Sequence, residues 1–329
     1  MARSGIRTRS ATTSPRAHRG IGTISLPSGS SPARGSLQPG RPDRSLRDRD
    51  EVALVELGHH TPAHEQGTNG CRASGEAVLE VEGVTKRFGG HVAVDRVSFR
   101  VAAGSITGLI GPNGAGKTTL FNLVAGTLPL TAGRIRLDGR RLDGQAPHRV
   151  LRLGVGRTFQ VPRPFPAMTV LENVMLAAPD QVGERFWWNW LRPGAVSAEE
   201  RATRDRAQAL LEFVGLRGLA GQPARVLSGG QRRLLELARV LMAGPRLILL
   251  DEPAAGVSPL VLEAIVERIV ALNRQGVTFL LIEHNMELVM RLCRPVLVMA
   301  GGALLTQGDP DAVRADPRVL DAYLGGAAP

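Results

Sequence analysis

Residues 111–119 read Gly111, Pro112, Asn113, Gly114, Ala115, Gly116, Lys117, Thr118, Thr119. This fits the pattern of Gly, four residues, then Gly-Lys-Ser/Thr. An apolar run, Ile106-Thr107-Gly108-Leu109-Ile110, precedes it, and Leu120-Phe121-Asn122-Leu123-Val124 follows it. The stretch therefore predicts a strand, a glycine loop and a helix in direct succession, which commits the chain to an α/β architecture. Gly111, Gly114 and Gly116 let the backbone curl without Cβ clashes, so that consecutive N–H groups converge on phosphate oxygens. The loop empties into a helix N-terminus, whose unpaired N–H groups and dipole favour an anion. Lys117 is expected to reach the β- and γ-phosphates, and the Thr118 hydroxyl to face Mg²⁺. The ligand expected of such a loop is a nucleoside triphosphate.

The 329 residues supply ample chain for a buried core. Residues 295–305 form the longest nearly unbroken apolar run, far too short to span a bilayer. The basic N-terminus has no apolar segment behind it and does not read as a secretory signal. Cys71 and Cys293 are the only cysteines and make no metal or redox spacing. A net charge of +11 invites nucleic acid or an anionic membrane surface as a partner. Its location argues otherwise, because residues 1–50 hold ten arginines against three aspartates and so carry +7 of it. The first 76 residues read as a basic tail without core-forming periodicity. His59, His60 and His64 with Glu65 or Cys71 make a weak metal constellation, since a tail holds no fixed ligand geometry. Contact with anionic lipid is the functional alternative for this tail.

From Val78 the pattern changes. Residues 78–84, 92–101, 106–111, 133–138 and 155–160 read as strands. Phe88, in Lys86-Arg87-Phe88-Gly89-Gly90, is either a base-stacking ring or an edge phenylalanine. Gln160 ends Gly156-Arg157-Thr158-Phe159-Gln160, where a polar side chain at a strand end suits Mg²⁺ ligation or water orientation. Residues 169–220 read as mainly helical. Within them, Ser197 is the expected N-cap of a helix burying Ala207, Leu210, Leu211 and Val214. Phe186, Trp187, Trp188 and Trp190 form either local core or a partner-docking patch.

A second constellation begins at Leu227-Ser228-Gly229-Gly230-Gln231. Ser228 is a good N-cap for an amphipathic helix that Gly244-Pro245 stops. Two glycines behind a cap lower helix propensity and bare the N–H groups, which suits anion contact. Leu247-Ile248-Leu249-Leu250 then reads as a strand buried on both faces and delivers Asp251 and Glu252 to its C-terminal end. Asp251 is placed to hold Mg²⁺, and Glu252 to polarise an attacking water. One more apolar strand, 277–282, brings His284 to the same edge.

This order of motifs resembles the ATP-binding cassette (ABC) ATPases over residues 78 to about 326. The resemblance implies a P-loop ATPase fold with a mixed-sheet core, an antiparallel β subdomain and an inserted helical subdomain at about 161–225. It gives Phe88 the adenine-stacking role and His284 the γ-phosphate switch role. It brings Ser228, Gly229, Gly230 and Gln231 onto the ATP of another cassette, across an interface lined by residues 254–259. That loop departs from the common Ser-Ala-Leu-Asp form. Arg87-Phe88-Gly89-Gly90, Arg157-Thr158-Phe159-Gln160, Asp251-Glu252-Pro253-Ala254-Ala255-Gly256 and Ala322-Tyr323-Leu324-Gly325 are similar to the ATPases of bacterial branched-chain amino-acid uptake systems. Asn285 and Ser258 stand where that group often has Asp and Asn. The implied cofactors are ATP and Mg²⁺. The implied partners are a second cassette, two permeases and, indirectly, a substrate-binding protein, with no nucleic acid, at the cytoplasmic face of the membrane. Urea-type importers share much of the pattern. Soluble cassettes acting on nucleic acid usually carry two cassettes in tandem or a long coiled-coil insertion, whereas this chain has one cassette. A non-hydrolysing module would be expected to lack Glu252 or Lys117. Since the cassette pattern is complete from Val78, deleting residues 1–70 is expected to leave ATPase activity and melting temperature unchanged, and a large fall in either would show the tail to be structural.

Overall fold

The computed structural model describes residues 77–158, 162–179 and 193–324. The expectations for the tail, for Gln160 and for Phe186, Trp187, Trp188 and Trp190 lie outside these residues.

Two sheets pack face to face. The first is antiparallel, in the order β2-β1-β4-β5, and comprises β1 (Ala77–Phe88), β2 (His91–Ala102), β4 (Ala132–Leu137) and β5 (Arg140–Arg141). The second runs β10-β9-β3-β8-β7-β6. Its members are β3 (Ile106–Ile110), β6 (Val155–Arg157), β7 (Leu247–Asp251), β8 (Thr278–Ile282), β9 (Val296–Ala300) and β10 (Ala303–Gly308). Every pairing in it is parallel except the β9–β10 hairpin. The apolar run at 295–305 is therefore this hairpin, turned by Gly301 and Gly302 at positive φ.

The mixed sheet is buried on both faces, as its unbroken apolar strands require. In β7, Leu247 and Leu249 enter the core shared with the antiparallel sheet, whereas Ile248 and Leu250 enter the core shared with the helices. The same alternation divides Leu109 from Ile110 in β3 and Leu280 from Leu281 in β8. Helix α1 (Lys117–Val124) joins the first core through Leu120, Phe121, Leu123 and Val124. Helix α2 (Pro147–Arg152) leads back into β6.

The helical layer contains α3 (Val170–Met175), α4 (Pro193–Phe213) and α5 (Gly229–Met242), which pack on one another. Ala207, Leu210 and Leu211 face inward from α4 as expected, and Val214, just past its end, is also buried. Its start is a correction. The helix begins at Pro193, so Ser197 lies inside it and does not cap it. Proline at the first helical position carries no N–H to leave unpaired and brings its φ already set. Helices α6 (Pro259–Arg274), α7 (Met286–Leu292), α8 (Pro310–Ala315) and α9 (Pro317–Leu324) complete the described chain. Among the described residues no helix is long and apolar enough to cross a membrane.

Gly108 leaves room beneath β3 for Cys293, since a Cβ there would sit 3.0 Å from the cysteine Cβ. Burial, with the negative charge of Glu283 adding to it, pushes the Cys293 thiol from 9.0 up to about 12. In a Cys71→Ser background, a thiol reagent at pH 8 is expected to label this site only on unfolding. The folded form holds this proton more tightly than the unfolded chain does, so the thiol lowers stability as pH rises above 9.0 and has no effect below it. Fast labelling of the native protein at pH 8 would contradict the burial.

Candidate active site

The glycine loop leaves the C-terminal end of β3 and enters α1 through Gly116, which takes φ +92 at the N-cap position. A Cβ on Gly116 would lie 2.4 Å from the Ala93 carbonyl oxygen, and one on Gly111 would lie 2.1 Å from that of Met299. Glycine is thus required twice, because the loop is wedged against β2 on one side and β9 on the other. Gly114, by contrast, points into open space at φ +80. Ala115 is buried, whereas Asn113, Gly114 and Thr118 are exposed and Thr119 is half-buried.

Lys117 is buried at 7% exposure. Its Nζ donates to the Gly111 carbonyl at 2.6 Å and to the Pro112 carbonyl at 3.0 Å. Burial lowers its pKa, against the opposing pull of Glu252 and Asp251. The ammonium therefore spans the loop it is expected to serve. The phenol of Tyr323, in α9, is hydrogen-bonded by the Gly111 backbone, while burial raises its pKa. The last described helix thereby touches the phosphate loop.

The carboxylates stand at the C-terminal end of β7, one strand from β3 across β8. Asp251 is buried, and its Oδ2 accepts a hydrogen bond from Arg157 at 3.1 Å. Glu252 departs from the strand at φ +50, a left-handed conformation that costs a residue bearing a Cβ about 1–2 kcal/mol. Backbone hydrogen bonds hold it there. Its N–H donates to the Ile282 carbonyl at 2.9 Å, and Arg233 donates to its carbonyl at 3.1 Å. Glu252 Oε1 lies 3.1 Å from His284 Nε2, so the expected base and switch residue are in hydrogen-bond contact. Both side chains keep access to solvent.

Ser228 caps α5 reciprocally. Its Oγ accepts from the Gln231 N–H at 3.2 Å, and its own N–H donates to Gln231 Oε1 at 2.9 Å. The two following glycines have separate reasons. Gly229 faces open space, whereas a Cβ on Gly230 would lie 2.7 Å from Val261 Cγ1 of α6. Phe88, at the end of β1, is half exposed, with the Lys86 ammonium 5.0 Å from its ring centre. Its partner across the turn, His91, lies two residues before Ala93, which abuts the phosphate loop. Phe88 therefore belongs to the strand pair whose second member abuts that loop.

Lys117, Asp251, Glu252 and His284 thus meet at one edge of the sheet, while the Ser228 motif opens α5. Sequence reading missed two organising residues. Arg233 ties the Ser228 helix to the loop after the base, since it also donates to the Ala255 carbonyl at 2.5 Å. Glu283 is buried, and its carboxylate accepts from the backbone N–H groups of Ala254, His284 and Asn285. An acidic residue at the end of an apolar strand was the available signal for Glu283.

The donors fit a hard cation. Thr118 and Asp251 offer oxygen, which suits Mg²⁺. Among the described residues no cluster of three His, Cys, Asp or Glu is present to cage a metal.

A family model described as ABC transporter matches residues 94–255, and one described as branched-chain amino acid ATP-binding cassette transporter matches residues 303–329. The chain is 42% identical to the high-affinity branched-chain amino acid transport ATP-binding protein BraF of Pseudomonas aeruginosa, over 76% of this chain and 98% of that protein. It is 40% identical to LivG of Escherichia coli, covering 77% and 99%. The probable LivG of Archaeoglobus fulgidus is 39% identical, covering 75% and 95%. Among solved structures, a nucleotide-free ATP-binding cassette from an ABC transporter aligns with a TM-score of 0.66 at 35% identity, covering 75% of this chain and 99% of that one. The ADP conformation of the cassette MJ1267 aligns with a TM-score of 0.65 at 33% identity, covering 76% and 99%. With these relatives more than 30% identical and almost wholly covered, the chain belongs to the ABC transporter family of ATP-binding proteins.

Proposed function

We propose that this chain is the ATP-hydrolysing cassette of an importer for branched-chain amino acids. It forms one half of a cassette heterodimer beneath two distinct permeases, at the cytoplasmic face of the membrane, and a binding protein delivers the solute. The family couples ATP hydrolysis to transport and works with permease subunits. The observation that carries the catalytic reading is the convergence of Lys117, Asp251, Glu252 and His284 on the loop that follows β3. The solute assignment is supported by relatives that are branched-chain amino acid transport proteins and by the match at residues 303–329.

The chain's own residues divide the work. Phe88 stacks on the adenine, and the N–H groups of residues 113–119 bind the phosphates. Lys117 exchanges its loop carbonyls for phosphate oxygens and offsets the charge that develops during in-line attack. Mg²⁺, when held by Thr118 and Asp251 with Gln160 as a further ligand, supplies Lewis-acid neutralisation of the phosphates. Glu252 accepts the proton of the attacking water, and His284, already 3.1 Å away, orients that carboxylate and contacts the γ-phosphate. One chain supplies one phosphate loop and one Ser228 motif, so a complete site requires a second cassette. ATP binds the closed pair better than the open one, and hydrolysis removes that difference.

Co-expression with the neighbouring genes, followed by uptake of labelled leucine and labelled urea into membrane vesicles, tests the reading. Leucine uptake that depends on ATP and on this chain is the expected result. Uptake of urea but not leucine would move the chain to a different importer, and transport by this cassette without a second one would remove the heterodimer.

A further inference from the structure

Arg157 stands on β6 with its side chain 11% exposed. Gly156 before it presses the strand onto α5, since a Cβ there would lie 2.6 Å from Val240 Cγ1. The guanidinium then has a restricted route across the sheet edge, and it makes contact on both sides. Nη1 donates to Asn122 Oδ1 at 2.5 Å, and Nη2 donates to Asp251 Oδ2 at 3.1 Å. Its carbon lies 5.9 Å from the centre of the Phe121 ring, within cation–π range. One planar fork thus joins α1, the helix that opens with Lys117 and Thr118, to the carboxylate at the end of β7.

A buried carboxylate needs a cation and hydrogen bonds. Lys117 donates to the carbonyls of Gly111 and Pro112. Among the described residues Arg157 is the cation paired with Asp251. It takes Oδ2, while Oδ1 accepts no hydrogen bond from the described residues. The remaining contact is weak, the Asp251 N–H donating to Thr158 Oγ1 at 3.4 Å.

We infer that Arg157 is a positioning residue for the divalent cation, because it holds Asp251 by one oxygen, offers the other to the cation, and fixes the distance from that carboxylate to the helix carrying Thr118. The inference rests on the reading of Thr118 and Asp251 as Mg²⁺ donors. The geometry also explains why arginine is needed at this position. A lysine ammonium is a point charge and cannot deliver two coplanar N–H groups to acceptors on opposite sides. Groups that orient metal-binding carboxylates commonly contribute about 10- to 100-fold to metal affinity.

The test measures the affinity of a fluorescent ATP analogue with Mg²⁺ and with EDTA, in the wild type, Asp251→Asn, Arg157→Ala, Arg157→Lys and Asn122→Ala. The quantity read is the ratio of the two affinities, which a general loss of folding would not lower selectively. The wild type is expected to bind more tightly with Mg²⁺, and Asp251→Asn to lose most of that gain. Arg157→Ala is expected to lose about tenfold or more of it while its affinity in EDTA stays within about twofold. Arg157→Lys is expected to resemble Arg157→Ala, and Asn122→Ala to lose a smaller part. If Arg157→Ala does not fold, Arg157→Lys, which keeps the charge, carries the comparison. Absence of any Mg²⁺ gain in the wild type, or an unchanged gain in Asp251→Asn, would remove the donor assignment. A normal Asp251 response with a full gain in Arg157→Lys would overturn the role of Arg157 alone. A larger gain in Arg157→Ala would also overturn it, by showing that the guanidinium competes with the cation.

Discussion

Glu252→Gln is expected to bind ATP and to hydrolyse it about two to four orders of magnitude more slowly than the parent chain. Glutamine keeps the length and planarity of the side chain and can still meet His284, but it cannot take a proton from water. The backbone contacts that hold residue 252, from Ile282 and Arg233, do not involve the side chain and should survive. Binding and closure are therefore preserved while the step that ends closure is lost, and an ATP-held dimer should accumulate. Turnover of the purified variant, together with its elution in size-exclusion chromatography with and without ATP, measures both halves of this expectation. Near-normal turnover would sink the assignment of Glu252 as the base.

Gly111→Ala is expected to weaken nucleotide binding about 100-fold. Gly111 takes φ +148, and the added Cβ would stand 2.1 Å from the Met299 carbonyl oxygen. The atom it meets is the backbone of β9, hydrogen-bonded into the sheet beside β3, so it cannot yield as the tip of a flexible side chain would. The loop must lift off β9 instead. A strain on the order of 3 kcal/mol corresponds to about a 100-fold loss of affinity when binding needs the undistorted loop. Gly114→Ala supplies the contrast, because residue 114 also has positive φ but nothing lies within 4 Å of its added Cβ. It should show only the left-handed cost of about 1–2 kcal/mol. Calorimetric titration with ATP separates the two, and equal losses would show that the contact with Met299 is not the cause.

What could be read from the sequence was local or periodic. The strand, loop and helix around Lys117 are contiguous, and the burial of Leu247, Ile248, Leu249 and Leu250 on both faces is written in an unbroken apolar run. The edge position of Asp251, Glu252 and His284 follows from those strands alone. What escaped depended on distant partners. The acceptors of Arg157 lie 35 and 94 positions away. The reason for Gly230 is a valine on another helix, and Glu283 acts on backbone N–H groups of two loops. Nothing near those residues in the chain announces such contacts. The start of α4 escaped for a different reason, since a serine with acidic residues after it imitates a cap, and the proline four residues earlier outranked it.

The left-handed backbone of Glu252 has a consequence for anyone evolving this scaffold. Glycine at residue 252 would relieve roughly 1–2 kcal/mol of strain and remove the carboxylate in the same substitution. Asparagine, which tolerates φ +50 better than glutamate does, offers a similar exchange. With Glu252 as the proposed base, a library sorted for heat resistance alone is expected to be enriched in cassettes that fold better and turn over poorly. Thermal selection on this fold needs ATP turnover scored in the same round, because residue 252 is where the two pressures point in opposite directions.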